Sequence, residues 1–337
     1  MKKITFINSD PFFDKNYMFM HEKPDHMLFP LFALKQELKK RNIEVHTSDL
    51  LPKKDADYIV YNEAPKKNLF KKRLKPSEDE KKKSFLMLLE CPIIRPDNFN
   101  EHYHSYFKKV FTWDDGLVLK NNKKYVKLNF TQSFKKSTKN IARDRFCVCV
   151  SGNKKVKHTN ELYSKRLEII KWFESNDVTN FDLYGRGWGH MKFNSNTILR
   201  PFNRIFTYLP EYKFRSSWRG PTENKLELLQ RYKFNICIEN AKNYHGYITE
   251  KIFDSFRAGC IPIYSGPPNI HDYIPSNCFI NLDKFSDFED CYKYMKTIDD
   301  KEFERYTDSI NDFLNSTDAK RFEYNYFIET FIKTLNL

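Results

Sequence analysis

A chain of 337 residues with 40% hydrophobic and 16% aromatic residues carries enough apolar surface to offset the entropy of ordering a large core. This excludes a disordered chain and a small disulfide-stapled module, and two domains are the better expectation. Fifty-eight Lys and Arg against 44 Asp and Glu leave a formal charge of +14, which favours an anionic partner such as nucleic acid, a membrane surface or a phosphorylated metabolite.

The first part of the chain alternates short apolar runs with helical periodicity. KITFI, IEVHT, ADYIVYN, SFLMLLE and KKVFTW read as strands, and MLFPLFALKQELKKRN places apolar residues at helical spacing. Such βα alternation implies a largely parallel sheet covered by helices. The lysine-rich run from Pro65 to Lys83 reads as a solvated helix or loop, and SFKKSTKNIARDR as the connector between the two halves of the chain. A second alternation then runs through the strand FCVCVSGN, the helix SKRLEIIKWFES, the strand FDLYG, the helix KLELLQRY and the strand FNICIEN. A helix from Thr249 to Ala258, the strand IPIYSG, FINL, the helical DFEDCYKYMKTI and an amphipathic helix from Phe322 to Leu335 complete the chain.

The expected class is α/β, with two doubly wound Rossmann-like domains facing a cleft. Residues 1–140 form the first domain, 141–320 the second, and 321–337 a terminal helix able to pack back on the first. The glycine fingerprints of dinucleotide and ATP sites are missing. The seven cysteines (Cys91, Cys147, Cys149, Cys237, Cys260, Cys278, Cys291) have no metal-ligand spacing, and runs such as FCVCV suit small buried hydrophobes in a reducing compartment. MKKITFINSD lacks the apolar run of a signal peptide, and no run of about 18 apolar residues occurs. A soluble chain is expected.

In open α/β sheets, ligands gather beyond the carboxyl ends of strands, where helix N-termini present unpaired N–H groups. Three such ends carry polar residues: Glu90 after SFLMLL, Ser151 to Asn153 after FCVCV, and Glu239 with Asn240 after FNICI. Thr249 is placed to cap a helix whose first turn holds Glu250 and Lys251, which would bring a helix dipole and an ammonium to one anion. The plainer alternative is a cap with a solvated lysine. Just upstream, Gly246 and Tyr247 add backbone freedom and a stacking or hydroxyl group. Asp55-Ala56-Asp57 spells a metal-binding DxD, but it precedes a strand instead of ending one and reads as a turn. Trp188 and Trp218 read as packing or sugar-stacking aromatics, and no pair among His21, His26, His245 and His271 has the spacing of a helical metal site.

The segment IENAKNYHGYITEKIFDSFRAGCIPIYSGPPNIHDYIPSNCFINLDKF resembles the donor-binding signature of the α1,3/4-fucosyltransferase family, glycosyltransferase family 10. That signature runs FENS, Y-[VI]-T-E-K, a small-residue helix end, [IV]-P-[IV], and GP or GSP. NKLELLQRYKFNICIEN resembles its lead-in. Upstream, Leu89-Glu90-Cys91-Pro92 resembles the E-S-P element with Cys in place of Ser, Phe111-Thr112-Trp113 resembles F-N-W, and VSGN resembles the V-S-N strand end. Arg166 matches the family's helix arginine, at a longer spacing after VSGN.

The resemblance implies a GT-B fold, a GDP-β-L-fucose donor, and inverting transfer to a hydroxyl, O3 by expectation, of an N-acetylglucosamine or glucose unit in a glycan. It implies Glu90 as general base, a role that partial burial at a strand end would favour by raising its pKa. Arg166 and Lys251 would neutralise the diphosphate, so neither a divalent metal nor another cofactor is expected to be required. Glu250 would accept hydrogen bonds from ribose hydroxyls, and Tyr247 would line the nucleotide pocket. Glu239 and Asn240 would contact the fucose and the adjoining phosphate, with Glu239 as a second catalytic candidate. Ser151 and Asn153 would hydrogen-bond the diphosphate, and His26 or Phe29 would border the acceptor. The bland alternatives are a surface carboxylate at Glu90, a purely structural Glu239–Lys251 pair, and ordinary turn chemistry at Ser151 and Asn153.

The expected partners are GDP-fucose and an oligosaccharide or glycoconjugate acceptor, with no nucleic acid and at most weak membrane-surface association. The expected location is the cytoplasm of a microbe or of a virus-infected cell, or else the chain is a soluble form without its anchor. Three rivals stand beside this reading: an inverting GT-B enzyme with another nucleotide sugar, a catalytically dead sugar-binding relative, and a basic nucleic-acid-binding protein.

Overall fold

Apolar runs buried on both faces build two all-parallel sheets. The computed structural model describes residues 1–23, 26–69, 74–132, 134, 143–189 and 215–337. The first sheet holds β1 (Lys2–Asn8), β2 (Ile43–Thr47), β3 (Tyr58–Asn62), β4 (Ser84–Leu88), β5 (Lys109–Thr112) and β6 (Tyr125–Lys127), in the order β2-β1-β3-β4-β5-β6. Every position of β4 is buried, as a central parallel strand covered on both faces requires. In register, Val60 of β3 faces both Phe6 of β1 and Phe85 of β4.

The second sheet holds β7 (Arg145–Val150), β8 (Phe181–Tyr184), β9 (Tyr232–Ile238), β10 (Ile261–Ser265) and β11 (Ile280–Asn281), in the order β11-β10-β9-β7-β8. From β7 the chain moves outward to β8, then returns to the other side of β7 as β9. The strand order therefore reverses between β7 and β9, which opens a crevice beyond their carboxyl ends. The connector expected between the halves lies largely in residues 135–142, outside the described residues.

The last helix, Tyr324–Leu335, joins the core of the first sheet. Phe331 stacks against Phe6 and Phe111 with centroids 6.1 and 5.7 Å apart. The helices Glu101–His104, Asp115–Lys120 and Asp300–Asn315 escaped the sequence reading. Asp300–Asn315 turns Ile310, Phe313 and Leu314 inward and is capped by Asp299, which accepts from Glu302 N–H. The short strand Tyr125–Lys127 also went unread, because three residues carry too little periodicity.

A polar cluster joins the two halves. The Asp115 carboxylate accepts hydrogen bonds from Asn269 Nδ2 at 2.9 Å and Tyr273 OH at 2.6 Å, and Lys127 Nζ lies 2.6 Å away. Gly246 sits here at φ +82°, and a Cβ on it would meet the Trp113 carbonyl at 2.5 Å. Only glycine combines that conformation with so close an approach. All seven cysteines are buried and free. Asp57 accepts the Lys3 amide at 2.7 Å, so the DxD spelling is a turn that docks on β1. No described helix is long and apolar enough to cross a membrane.

Candidate active site

A cavity of about 280 Å³ opens at the carboxyl ends of β7 and β9, where the strand order reverses. Glu90 from the first half closes it on one side, and residues of the second half form the rest.

Glu90 follows β4 and is half-buried. A network of hydrogen bonds fixes its backbone. Glu63, just past β3 at φ +72°, accepts the amides of Leu89 and Glu90 at 3.1 and 2.9 Å. Asn98 Nδ2 donates to Glu63 and to the Glu90 carbonyl, while Trp113 Nε1 donates to the Leu89 carbonyl at 2.8 Å. The Glu90 carboxyl thus leaves a pinned strand end. Burial pushes it above the ordinary carboxylate range and Glu250 adds to that, while Lys251, Lys154 and Arg95 pull it back. Charges from both halves therefore set its affinity for a proton.

Burial lifts the Glu63 carboxyl as well, from 4.5 up to about 7. A carboxyl whose folded pKa is raised holds its proton more tightly folded than unfolded, so its stabilising contribution is lost as pH rises from 4.5 to 7. Glu63→Gln is expected to abolish this slope. It should also lower stability by about 1–3 kcal/mol, because the new amide meets the Asn98 amide donor to donor. Denaturant unfolding of both proteins across that pH range checks it, and parallel pH curves for the two would contradict the expectation.

Lys251 lies in the first turn of the helix Glu250–Ala258, which Thr249 caps. Its Nζ stands 3.0 Å from Glu239 Oε2, 2.9 Å from Thr249 Oγ1 and 3.7 Å from Glu250 Oε1. Although burial opposes its charge, Glu239 and Glu250 raise its pKa further, so the ammonium stays charged at the cavity wall. Partial burial pushes the half-exposed Glu250 carboxyl up, but Lys251 and Lys225 outweigh it and leave it below its ordinary range. Arg166, on the helix Tyr163–Asn176, is buried and donates from one terminal nitrogen to the carbonyls of Ile238 at 2.5 Å and Glu239 at 3.2 Å. Asn240 and Ser151 also line the cavity. Trp188 Nε1 holds the Ser151 carbonyl at 2.7 Å, and a Cβ on Gly185 (φ +133°) would strike that same oxygen at 2.0 Å. Trp188 is therefore a buried prop for the strand-end loop, and Trp218 is likewise core.

Three expected contact residues stand elsewhere. Glu239 is fully buried beneath the wall, and its carboxylate is occupied by Thr249 N–H at 2.9 Å, Thr249 Oγ1, Lys251 Nζ and Tyr264 OH at 3.3 Å. A buried charge is tolerated only when so partnered, and Glu239 is spent on holding Lys251 in place. Tyr247 is buried in the apolar seam between the halves, its ring centroid 4.8 Å from that of Trp113, in one cluster with Cys91 and Ala241. It braces the site from behind instead of lining the pocket. Asn153 is outside the cavity lining, its side-chain amide donating to the Gly187 carbonyl at 3.0 Å. His26 stacks on His21 at 3.7 Å, and Phe29 packs against Tyr324.

The sequence reading missed Lys154, Tyr163 and Lys225, which line the cavity, and Glu63, which supports it. Lys225 opens a short helix capped by Asn224 and is bonded to Asp254 at 2.7 Å. The signals were present: Glu63 follows a strand as Glu90 does, Lys154 follows VSGN, and Tyr163 precedes Arg166 by one helical turn. Among the described residues no group of three or more His, Cys, Asp and Glu side chains could hold a metal ion.

The glycosyltransferase family 10 (fucosyltransferase) C-terminal model matches residues 146–324, just over half of the chain. The chain belongs to glycosyltransferase family 10. Among its family relatives, the α-(1,3)-fucosyltransferase FucT of Helicobacter pylori is 37% identical over 103 residues, which cover 30% of this chain and 21% of the relative. A putative fucosyltransferase-like protein of Arabidopsis thaliana is 43% identical over 74 residues (22% and 14%), and GDP-fucose protein O-fucosyltransferase 3 of Gallus gallus is 40% identical over 86 residues (25% and 18%). The matched segments thus span about a fifth or less of these curated relatives. In fold, the chain is similar over its whole length to an α1,3-fucosyltransferase crystallised with GDP-fucose, with a TM-score of 0.54, 19% identity and 90% of that chain covered. It is equally similar in fold to an α-glucosyltransferase crystallised with UDP and a DNA 13-mer, with a TM-score of 0.58, 10% identity and full coverage of both chains. The two-sheet architecture is that of the GT-B glycosyltransferases.

Proposed function

We propose that this family 10 chain transfers L-fucose from GDP-β-L-fucose, with inversion, to a hydroxyl of an acceptor, O3 of an N-acetylglucosamine or glucose unit in the first place. The observation that carries this reading is one cavity lined both by a half-buried carboxylate, Glu90, from the first half of the chain and by the cations Arg166, Lys225 and Lys251 from the second. Inversion by a single displacement needs both kinds of group, a base on the acceptor side and positive charge where the diphosphate departs.

Glu90 takes the proton from the acceptor hydroxyl as its oxygen attacks the anomeric carbon. The bond from that carbon to the β-phosphate oxygen breaks, and the electron pair leaves with GDP. Lys251 and Arg166 neutralise the departing diphosphate without a metal, with Lys225 nearby and Lys154 at the rim. Glu250, half-exposed, accepts from ribose hydroxyls, and Asn240 and Ser151 hydrogen-bond near the sugar phosphate. Residues 1–140 with the terminal helix make the acceptor side, and 141–320 the donor side.

The test is transfer with GDP-fucose, GDP-mannose and UDP-sugars onto a panel holding both glycans and peptides, because the relatives' names include both kinds of fucosyltransferase. Product with GDP-fucose alone is the expected result, and linkage analysis then fixes the position. Transfer only from UDP-sugars overturns the donor assignment. Strong, salt-dependent retention of nucleic acid without transfer favours the basic nucleic-acid-binding alternative.

A further inference from the structure

Among the described residues lining the cavity, two carry a buried polar atom that the fold leaves unsatisfied, the Tyr163 hydroxyl and Asn235 Oδ1, and the hydroxyl is the one free to donate. Tyr163 is the first residue of the helix Tyr163–Asn176, lines the cavity and is 5% exposed. Its hydroxyl is buried with no hydrogen-bond partner. A buried hydroxyl without a partner carries a desolvation cost that native structures rarely retain, and here it is retained at a ligand cavity. We propose that the Tyr163 hydroxyl donates a hydrogen bond to a phosphate oxygen of the bound nucleoside diphosphate. The inference rests on the donor reading above.

The cations Arg166 and Lys251 act on this hydroxyl and favour an anionic oxygen, with Cys91 and Glu90 opposing them. The Arg166 guanidinium lies 5.5 Å from the Tyr163 ring centroid, and Lys251 shares the same wall. Burial pushes the phenol up to about 12 against the pull of Arg166, so it remains a neutral donor at physiological pH. The helix it opens runs for 14 residues with its N-terminus at the cavity, which adds a positive dipole end. Neighbouring backbone ties fix that end: Leu162 N–H donates to the Asn240 carbonyl at 3.2 Å, and Ser164 N–H to the Glu161 carboxylate at 2.9 Å. Tyr163 is thus held where a phosphate between Arg166 and Lys251 completes its hydrogen bonding.

The test is Tyr163→Phe, read by calorimetric binding of GDP, GDP-fucose and guanosine together with thermal melting. Because no protein group uses the hydroxyl, the variant should melt at or above the wild-type temperature, which a structural hydroxyl would not allow. Affinity for GDP and GDP-fucose should fall alike, by about tenfold to a hundredfold as for a hydrogen bond to a charged group, with guanosine unchanged. Unaltered GDP affinity overturns the inference, as does a loss confined to GDP-fucose, which would place the hydroxyl on the sugar. A wild-type chain that binds GDP-fucose no better than UDP-sugars instead overturns the donor reading, and the inference with it.

Discussion

Glu90→Gln is expected to lower the transfer rate by ~10²–10⁴-fold, the usual worth of a positioned general base, while GDP binds as in the wild type. The amide keeps the shape of the side chain, and the backbone ties from Glu63 and Asn98 do not depend on it. Folding stability should hold or rise, because burial penalises the charged carboxyl that the substitution removes. The pH profile gives the sharper reading. In the wild type the acid limb of kcat/KM reports protonation of this carboxyl, above the ordinary carboxylate range, and in the variant that limb should vanish. Full transfer activity in Glu90→Gln would leave the base unassigned.

Lys251→Ala should lose both nucleotide binding and stability, and the two losses can be separated. Removing the ammonium strips the fully buried Glu239 carboxylate of its charged partner. Breaking one side of a buried pair costs about 3–5 kcal/mol, with Thr249 and Tyr264 still donating to Glu239. The double variant Glu239→Gln, Lys251→Met removes the stranded charge and should recover most of that stability. GDP binding should not recover, because the cation that meets the diphosphate is gone. Recovery of GDP affinity in the double variant would show that Lys251 acts only through the fold. The same cycle tests Glu239 alone: Glu239→Gln should weaken GDP binding by freeing the lysine, with no requirement for the carboxylate to touch sugar.

Much of this was legible in the chain because its signals are local. The alternation of apolar runs with helical patterns pointed to two parallel sheets, since strands covered on both faces must be apolar throughout. Thr249 ahead of Glu250 and Lys251 read as a helix cap, and the structure shows the cap bond from Lys251 N–H to Thr249. Glu90, Arg166, Asn240, Glu250, Lys251 and Ser151 all meet at one cavity; strand ends and a helix start marked five of them, and the family resemblance marked Arg166.

What the sequence left open was decided by side-chain direction and by contacts between distant segments. Glu239 and Asn240 are neighbours in the chain, yet successive residues leaving a strand point to opposite sides, so one lines the cavity and the other is buried against Thr249 and Lys251. Tyr247 was drawn away from the pocket by the apolar seam with Trp113 and Cys91, partners that lie more than a hundred residues earlier. Glu63 acquires its role only because β3 and β4 pair and bring its carboxylate under the Leu89 and Glu90 amides. The sequence by itself determined which residue types stand at strand ends and helix starts, because periodicity and capping act over a few residues. Only the tertiary structure decided which of them share a cavity, because that depends on strand order and on the packing of two sheets against each other.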